Sequence, residues 1–255
     1  MSWATRRKTT YLGGIILFFV IIIGVVLYFA FSTNPTCFDN IQNQNEIGID
    51  CGGSCQLLCR AQYVSPSLLW TRWSKIKATG LYSILAYLEN PNIGVGSDSV
   101  GYDFRVYDKS GVLLAEKVGK TSIPSNKNFV VFEDQLNLND KIPVRVDFTF
   151  TEDISWKKIQ SKEEFIVIVS KNPSNMDIKP RVDIIVKNTS LSVIYDIELT
   201  SILYDVEGNA IAFSKTKIDK IDGQGEESAV FTWPEPFGKD VYKIEVVAKV
   251  LSPEK

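Results

Sequence analysis

One apolar run near the N-terminus constrains this chain more than any other feature. Residues 11–31, YLGGIILFFVIIIGVVLYFAF, contain no charged side chain, no amide side chain and no proline. An α-helix of this length, with a rise of about 1.5 Å per residue, spans roughly 31 Å, which matches the hydrocarbon thickness of a bilayer. The run therefore predicts a single transmembrane helix over residues 11–31.

The charges beside this run predict its orientation. Three basic residues at positions 6–8 precede it, whereas residues 32–36 carry no charge. Basic flanks stay in the cytoplasm, so we expect a cytoplasmic tail over residues 1–10 and a single-pass protein of the cell membrane with its C-terminal domains outside the cytoplasm. A cleaved secretory signal is the alternative, although this run is longer than the usual apolar region of a signal peptide.

The charge balance beyond the run limits the partners. The chain has 28 basic and 30 acidic residues, and removing the three basic residues before the run leaves 25 against 30, a net charge near −5. Such a surface argues against nucleic acid or an anionic lipid surface as the main partner. The chain contains no histidine, which excludes Ser-His-Asp and Cys-His nucleophiles.

All four cysteines follow the run within 23 residues: Cys37, Cys51, Cys55 and Cys59. Outside the cytoplasm, an even cluster of this kind predicts two disulfides. A zinc site with four cysteine ligands is the alternative, but zinc sites usually use C-x2-C pairs, so we predict no metal there. Three connectivities are open. We favour one in which Cys37 crosses to a later cysteine, because a longer closed loop constrains the unfolded chain more.

The cysteine segment resembles a small motif of bacterial and archaeal surface proteins. Its general form is C-x-D-G-x-x-N-x-G-E-x-G-x-D-C-G-G-x-C-x-x-C, and here Asn40 and Asn45 replace glycines while the last spacing is three residues. Asparagine tolerates a left-handed backbone well, so we expect the turns to be kept. We assign residues 32–60 to a cysteine-rich stalk of an exported protein.

Three acids in this segment, Asp39, Glu46 and Asp50, lie close together in sequence. Carboxylates in a tight loop are the hard oxygen ligands that calcium prefers. Alternatively, they cap turns and accept hydrogen bonds from backbone amides, as Asp commonly does. Both interpretations are open at the level of sequence.

Beyond the cysteines, apolar and polar residues alternate at a period of two. Residues 144–150 and 242–250 show this pattern, which is typical of half-buried strands. Turn sequences that contain glycine separate such runs, and no stretch after Cys59 has a sustained helical period. The pattern predicts an all-β fold with many short strands.

Two halves of this β region repeat. Three pairs of short motifs recur at offsets of 98, 97 and 99 residues: Asn90 and Asn188, Tyr107-Asp108 and Tyr204-Asp205, and Val131-Phe132 and Val230-Phe231. A unit of about 95 residues with roughly seven strands fits an Ig-like sandwich. We therefore predict two tandem Ig-like β-sandwich domains, over residues 61–153 and 162–253, with the junction at residues 151–161.

The Tyr-Asp pairs carry a second resemblance. Residues 104–108, Phe-Arg-Val-Tyr-Asp, resemble the F-x-L-Y-D signature of the FxLYD domain, a bacterial β-sandwich module. The second half keeps Leu-Tyr-Asp at residues 203–205 but has Ser201 at the phenylalanine position. A Tyr-Asp pair followed by a glycine turn ends one strand and begins its hairpin partner. The resemblance implies a surface interaction module without catalytic residues.

The remaining candidate sites have ordinary structural explanations. Ser-x-x-Lys occurs at residues 214–217 and 252–255, and paired acids occur at 133–134, 163–164 and 226–227. We interpret the serine-lysine spacings as chance and the acids as solvated strand ends or loops. Four tryptophans, at positions 70, 73, 156 and 233, could line a ligand surface but more often pack in cores. We therefore predict no catalytic residue, no cofactor and no enzyme activity.

These features favour a membrane-anchored extracellular binding or scaffold protein. It would contact the membrane through one N-terminal helix and other envelope or surface proteins through its β-domains, without binding nucleic acid. The alternative is a carbohydrate- or calcium-linked adhesion module.

Overall fold

The computed structural model describes residues 3–31, 36–43 and 45–251. These residues belong to two compact units, Met1–Cys55 and Gln56–Lys255. Several predicted features lie outside the described residues: the first two residues of the cytoplasmic tail, the start of the stalk at 32–35, and the second Ser-x-x-Lys at 252–255.

The N-terminal unit begins with a long helix, α1, over Trp3–Phe31. It starts eight residues before the apolar run. Residues 3–10, WATRRKTT, contain neither glycine nor proline, so nothing in them ends the helix. The stretch Arg7–Tyr28 is long and apolar enough to cross a bilayer, and it is not buried against other parts of the described chain. A signal sequence shares these properties, so the orientation stays a prediction.

The cysteine segment is closed by disulfides. Cys37 bonds Cys55 with a Cα–Cα distance of 5.6 Å, which is one of the three connectivities that the sequence left open. Cys51 and Cys59 are also disulfide-bonded, and no cysteine of the described chain is free. The two predicted disulfides are therefore present, and no thiolate is left for a zinc site.

The C-terminal unit is built from antiparallel strands. The described residues form thirteen of them: β1 Ser67–Ile76, β2 Leu81–Asn90, β3 Val95–Tyr107, β4 Leu113–Ile123, β5 Lys127–Leu136, β6 Arg145–Phe150, β7 Lys157–Lys158, β8 Ile166–Ser174, β9 Arg181–Asn188, β10 Ile194–Tyr204, β11 Ala210–Ile221, β12 Glu226–Thr232 and β13 Lys243–Val250. Two short 3-10 turns, Arg60–Gln62 and Lys162–Phe165, complete the unit.

Both halves have the same topology. In the first half, sheet β1-β2-β5 faces sheet β4-β3-β6, and in the second half, sheet β8-β9-β12 faces sheet β11-β10-β13. The two-residue strand β7 lies in the junction and pairs with the start of β3. The predicted fold class, two tandem Ig-like β-sandwiches, is confirmed, with six main strands in each described sandwich instead of seven.

A third apolar cluster joins the two sandwiches. It lies between the outer face of sheet β1-β2-β5 and the outer face of sheet β11-β10-β13. Leu85 pairs with Phe132 across β2 and β5, Ile202 pairs with Phe213 across β10 and β11, and all four side chains are buried in the cluster. The four sheets therefore form one stack with three apolar layers.

This stacking explains the burial of the central strand β2. Every residue from 82 to 88 is buried, because even-numbered side chains such as Ile84 enter the first sandwich core while odd-numbered ones such as Leu85 enter the cluster between the sandwiches. The sequence of a strand that is covered on both faces is continuously apolar, whereas that of a half-buried strand alternates between apolar and polar residues. The sequence LYSILAYL has this character.

A buried asparagine ends the second strand of each sandwich. Each side-chain amide donates to one carbonyl oxygen near the start of the next strand and to another near the end of the strand after it. Asn90 donates to Val95 and Pro124 at 2.8 and 2.7 Å, and Asn188 donates to Ser192 and Ile221 at 2.7 and 3.1 Å. Each side chain satisfies carbonyl groups that the sheets leave unpaired. The two halves thus use the same residue for the same contacts.

We expect Ile202→Ala to lower the free energy of unfolding by about 2–5 kcal/mol, because it removes a fully buried side chain and leaves a cavity between two sheets. The measurement is equilibrium urea unfolding of the full chain in detergent. Val118→Ala is the matched control on β4, where the side chain is 64% exposed, and should change the free energy by less than about 0.5 kcal/mol. Equal effects of the two substitutions would contradict a packed contact between the sandwiches.

Candidate binding cleft

The two sandwiches diverge where their apolar contact ends, and this leaves a cleft. Its volume is about 1160 Å³. Side chains of β3, β4 and β5 form the wall on the first sandwich, and side chains of β10, β11 and β13 form the opposite wall. The wall on the second sandwich belongs to the sheet that carries Phe213, whereas most of the wall on the first sandwich comes from β3 and β4, in the sheet that does not make the apolar contact.

Charged side chains line the cleft. Among the described residues, five lysines and four carboxylates face it: Lys120, Lys157, Lys215, Lys217, Lys249, Asp98, Glu133, Asp196 and Glu198. The cleft is thus mixed in charge, with both signs on both walls.

Lys249 joins the two walls. Its Nζ lies 3.1 Å from Glu198 Oε1 and donates a hydrogen bond of 3.2 Å to Thr121 Oγ1 of the first sandwich. Lys215 Nζ lies 3.3 Å from the other oxygen of Glu198. Burial by itself would raise the pKa of Glu198, but Lys249 and Lys215 outweigh it and hold this pKa below its ordinary value. Glu198 is therefore a fixed anion on the cleft wall.

A tyrosine-glutamate pair lies on the opposite wall. Tyr102 donates its hydroxyl to Glu133 Oε1 at 2.5 Å, and Lys117 Nζ lies 3.7 Å from the other oxygen. Burial, together with the Glu133 carboxylate, raises the pKa of Tyr102, so the phenol stays protonated and keeps donating. Tertiary partners thus engage the carboxylate of Glu133 where it faces the cleft, and the interpretation as a solvated strand end does not include these contacts.

The rim carries more exposed charges. Lys157 pairs with Asp98 at 2.9 Å and Lys217 pairs with Asp196 at 2.7 Å. Lys120 is exposed and forms no ion pair with any residue that the structure describes. Most of the charges on the walls are held in place by partners. The cleft therefore presents ordered hydrogen-bond donors and acceptors.

The acids of the cysteine segment have a different role from cleft acids. Asp50 accepts hydrogen bonds from the amides of Asp39 and Asn40 at 3.0 and 2.9 Å, and Glu46 accepts from the amides of Asn43 and Asp50 at 3.3 Å each. This is the turn-capping arrangement, one of the two interpretations that the sequence leaves open. Asn40 has a φ of 58°, the left-handed conformation that the sequence predicts.

The Tyr-Asp pairs form turns in both sandwiches. Asp108 Oδ1 accepts from the amides of Ser110 and Val112 at 2.8 and 3.0 Å, and Asp205 Oδ1 accepts from the amide of Asn209 at 2.7 Å. The glycine that follows each pair has a φ near 80°, 77° in the first turn and 80° in the second. The aspartates therefore bind turn amides, as expected for a structural motif.

The tryptophans pack instead of forming a platform. Trp156 and Trp233 are buried in the cores of the first and second sandwich. Trp70 and Trp73 point to opposite faces of β1, as their spacing predicts, so that Trp73 packs against the first core and Trp70 packs against the cluster between the sandwiches. Trp70 also stacks on Tyr87 with ring centroids 4.9 Å apart.

Glu163 is a buried acid that the sequence interpretation missed. Only 6% of it is exposed, whereas the pair at 163–164 was expected to be solvated. Its Oε1 accepts from the amide of Val250 at the end of β13, and its Oε2 accepts from the hydroxyl of Ser161, both at 2.8 Å. Lys127 of the first sandwich donates to its carbonyl oxygen at 2.6 Å. Glu163 therefore fastens the junction to both sandwiches.

Comparisons with known proteins do not indicate a function for the cleft. No family model matches the chain, and no curated protein matches it. Among solved structures, a transglutaminase of red sea bream is 10% identical, with 74% of this chain and 32% of that chain covered and a TM-score of 0.24. Vicilin of hazelnut, Corylus avellana, is also 10% identical, with 77% and 81% covered and a TM-score of 0.18. The chain spans about a third of the transglutaminase's length, and neither likeness supports a functional argument.

The ion pair of Asp205 gives a pH dependence that can be measured. The hydrogen bond from Lys239, at 2.5 Å, is the main cause that lowers the pKa of Asp205 to about 2 from its ordinary 3.8. Because the folded state has the lower pKa, ionised Asp205 stabilises the fold above about pH 4, and this stabilisation is lost as the pH falls towards 2. We expect the melting temperature of Asp205→Asn to lie below that of the wild type at pH 7 and to converge with it near pH 2.

Lys239→Met is the matched variant for this pH series, since it removes the partner and leaves the carboxylate. In this variant, the melting temperature should change less with pH between about pH 4 and pH 2 than it does in the wild type. If the wild type melts above Asp205→Asn by the same margin at pH 2 as at pH 7, the stabilising role of ionised Asp205 is contradicted.

Proposed function

We propose that this chain is a membrane-anchored extracytoplasmic binding protein without catalytic activity. The apolar run and its basic N-terminal flank support an anchor with a cytoplasmic N-terminus. The disulfides support export of the remainder, because disulfides persist in oxidising compartments. The resemblances to a surface-protein cysteine motif and to FxLYD modules support a role at the cell surface.

The observation that carries a binding role is the cleft between the sandwiches. Its walls present Glu198, Lys249 and Glu133 in fixed positions, and each of these groups is held by an ion pair or a hydrogen bond. Groups that are positioned before a ligand arrives lose little conformational entropy when it binds. We infer that the ligand is a polypeptide segment of another envelope protein that carries both acidic and basic side chains, because the cleft contains both signs.

The same arrangement favours recognition over catalysis. The pKa of Glu198 is lowered and that of Tyr102 is raised, so each is moved away from the neutral range in which a general acid or base works best.

Photo-crosslinking in native membranes tests the cleft. A benzophenone side chain at Ser99, which lines the cleft, should crosslink one discrete partner, and the same group at Ser110 in the first Tyr-Asp turn should not. Lys120→Glu should reduce the Ser99 crosslink by about 2- to 10-fold, because it reverses a rim charge. Lys109→Glu, an exposed lysine in that turn, is the control. Equal crosslinking from Ser99 and Ser110 would argue against the cleft.

A protease-protection assay tests the orientation independently of the ligand. Protease added to intact cells should degrade the sandwiches, because they lie outside the membrane in the proposed topology. Sandwiches that stay intact until the cells are lysed would show that the C-terminal domains are cytoplasmic and would overturn the orientation. The crosslinking result would still stand in that case, since the cleft does not depend on sidedness.

A further inference from the structure

The cysteine loop, residues 36–55, has its acids turned inward and its large apolar side chains turned outward. Four of these side chains are between 57 and 79% exposed: Phe38, Ile41, Ile47 and Ile49. Four exposed large apolar side chains within 12 residues concentrate apolar groups on this small loop.

The charges of the loop are engaged by its own backbone. Asp39 accepts from the amide of Ile41 at 3.0 Å and from the side chain of Asn43 at 2.9 Å, in addition to the amide contacts of Glu46 and Asp50 described above. Hydrogen bonds from the Thr36 amide and from Asn43 lower the pKa of Asp39, so the carboxylate is stabilised within the loop. The exposed apolar groups are therefore available while the charged groups are already satisfied.

The number of residues between α1 and the loop limits how far the loop can lie from the helix end. Five residue steps separate Phe31, the last residue of α1, from Thr36, the first residue of the loop. At about 3.6 Å per step, the loop begins within roughly 18 Å of the helix end. If α1 spans the bilayer as proposed above, this end lies at the hydrocarbon boundary, next to a headgroup region about 5–8 Å thick.

We propose that the exposed side chains of the cysteine loop insert into the headgroup region of the extracytoplasmic leaflet and give the protein a second membrane contact. Lipid is the occupant that the observations favour, because the short tether keeps the start of the loop within reach of the headgroup region. The loop also contains no lysine or arginine, so it suits zwitterionic lipid and has no cation to attract anionic lipid. The disulfide holds the loop in shape before it meets the membrane. This inference rests on the proposed anchor.

Tryptophan fluorescence of the full chain in phosphatidylcholine vesicles tests the contact. The parent is Trp3→Phe, which removes the tryptophan of α1, and Phe38→Trp is added to it. We expect the added emission to be blue-shifted, to be lost when the lipid is brominated on its upper acyl carbons, and to resist aqueous iodide. Val118→Trp in the same parent is the control on β4, and it should be quenched by iodide and not by brominated lipid.

The outcomes separate the contact from the anchor. A chain that does not float with the vesicles would overturn the anchor and this inference together. Suppose instead that the chain floats, but that the emission added by Phe38→Trp is quenched by iodide and not by brominated lipid. This result would overturn the lipid contact alone and would leave the surface to a protein or a second copy. Ile49→Trp provides an independent position, and mass-spectrometric mapping of Cys37–Cys55 verifies that each variant is folded.

Discussion

Leu85, Ile202 and Phe213 pack where the outer faces of two sheets meet, and much of the remaining structure depends on this contact. It covers β2 and β10 on their second face, and it makes one body of two sandwiches that could otherwise have moved independently. It also borders the cleft, because Phe132 belongs both to this apolar contact and to the cleft wall. Relative domain motion is the usual expectation for tandem modules, and a shared apolar layer opposes it.

Polar groups around this apolar layer are satisfied in pairs. Glu245 accepts a hydrogen bond from Tyr87 at 2.6 Å and another from Tyr204 at 3.0 Å, so one carboxylate serves a tyrosine from each sandwich. Burial, followed by the contact with Glu245, raises the pKa of Tyr87 to about 12. A buried polar group without a partner would be unfavourable, and these pairs let the apolar layer extend to the edge of each sheet. The bond from Tyr87 to Glu245 also links the two sandwiches directly.

Local patterns in the sequence predict the helix, the two disulfides, the alternating strands and the matched positions of Asn90 and Asn188, because each follows from neighbouring residues. The contact between the sandwiches could not be derived in this way, since alternation shows which face of a strand is apolar but not what covers it. One signal was available: the continuous apolar run LYSILAYL in β2 is typical of a strand covered on both faces. The contact of Glu133 with Tyr102 and the burial of Glu163 against the end of β13 involve partners distant in sequence, and no local pattern indicates these.

The disulfide between Cys37 and Cys55 also has a mechanical consequence for a tethered protein. A pulling force applied between the membrane helix and the sandwiches passes through the sulfur–sulfur bond and bypasses the loop between the two cysteines. The bond links residues 18 positions apart, so the loop between them does not extend under load while the bond is intact. In the proposed anchored topology, reduction of this bond would lengthen the connection between α1 and the sandwiches, whereas the intact bond keeps that connection short.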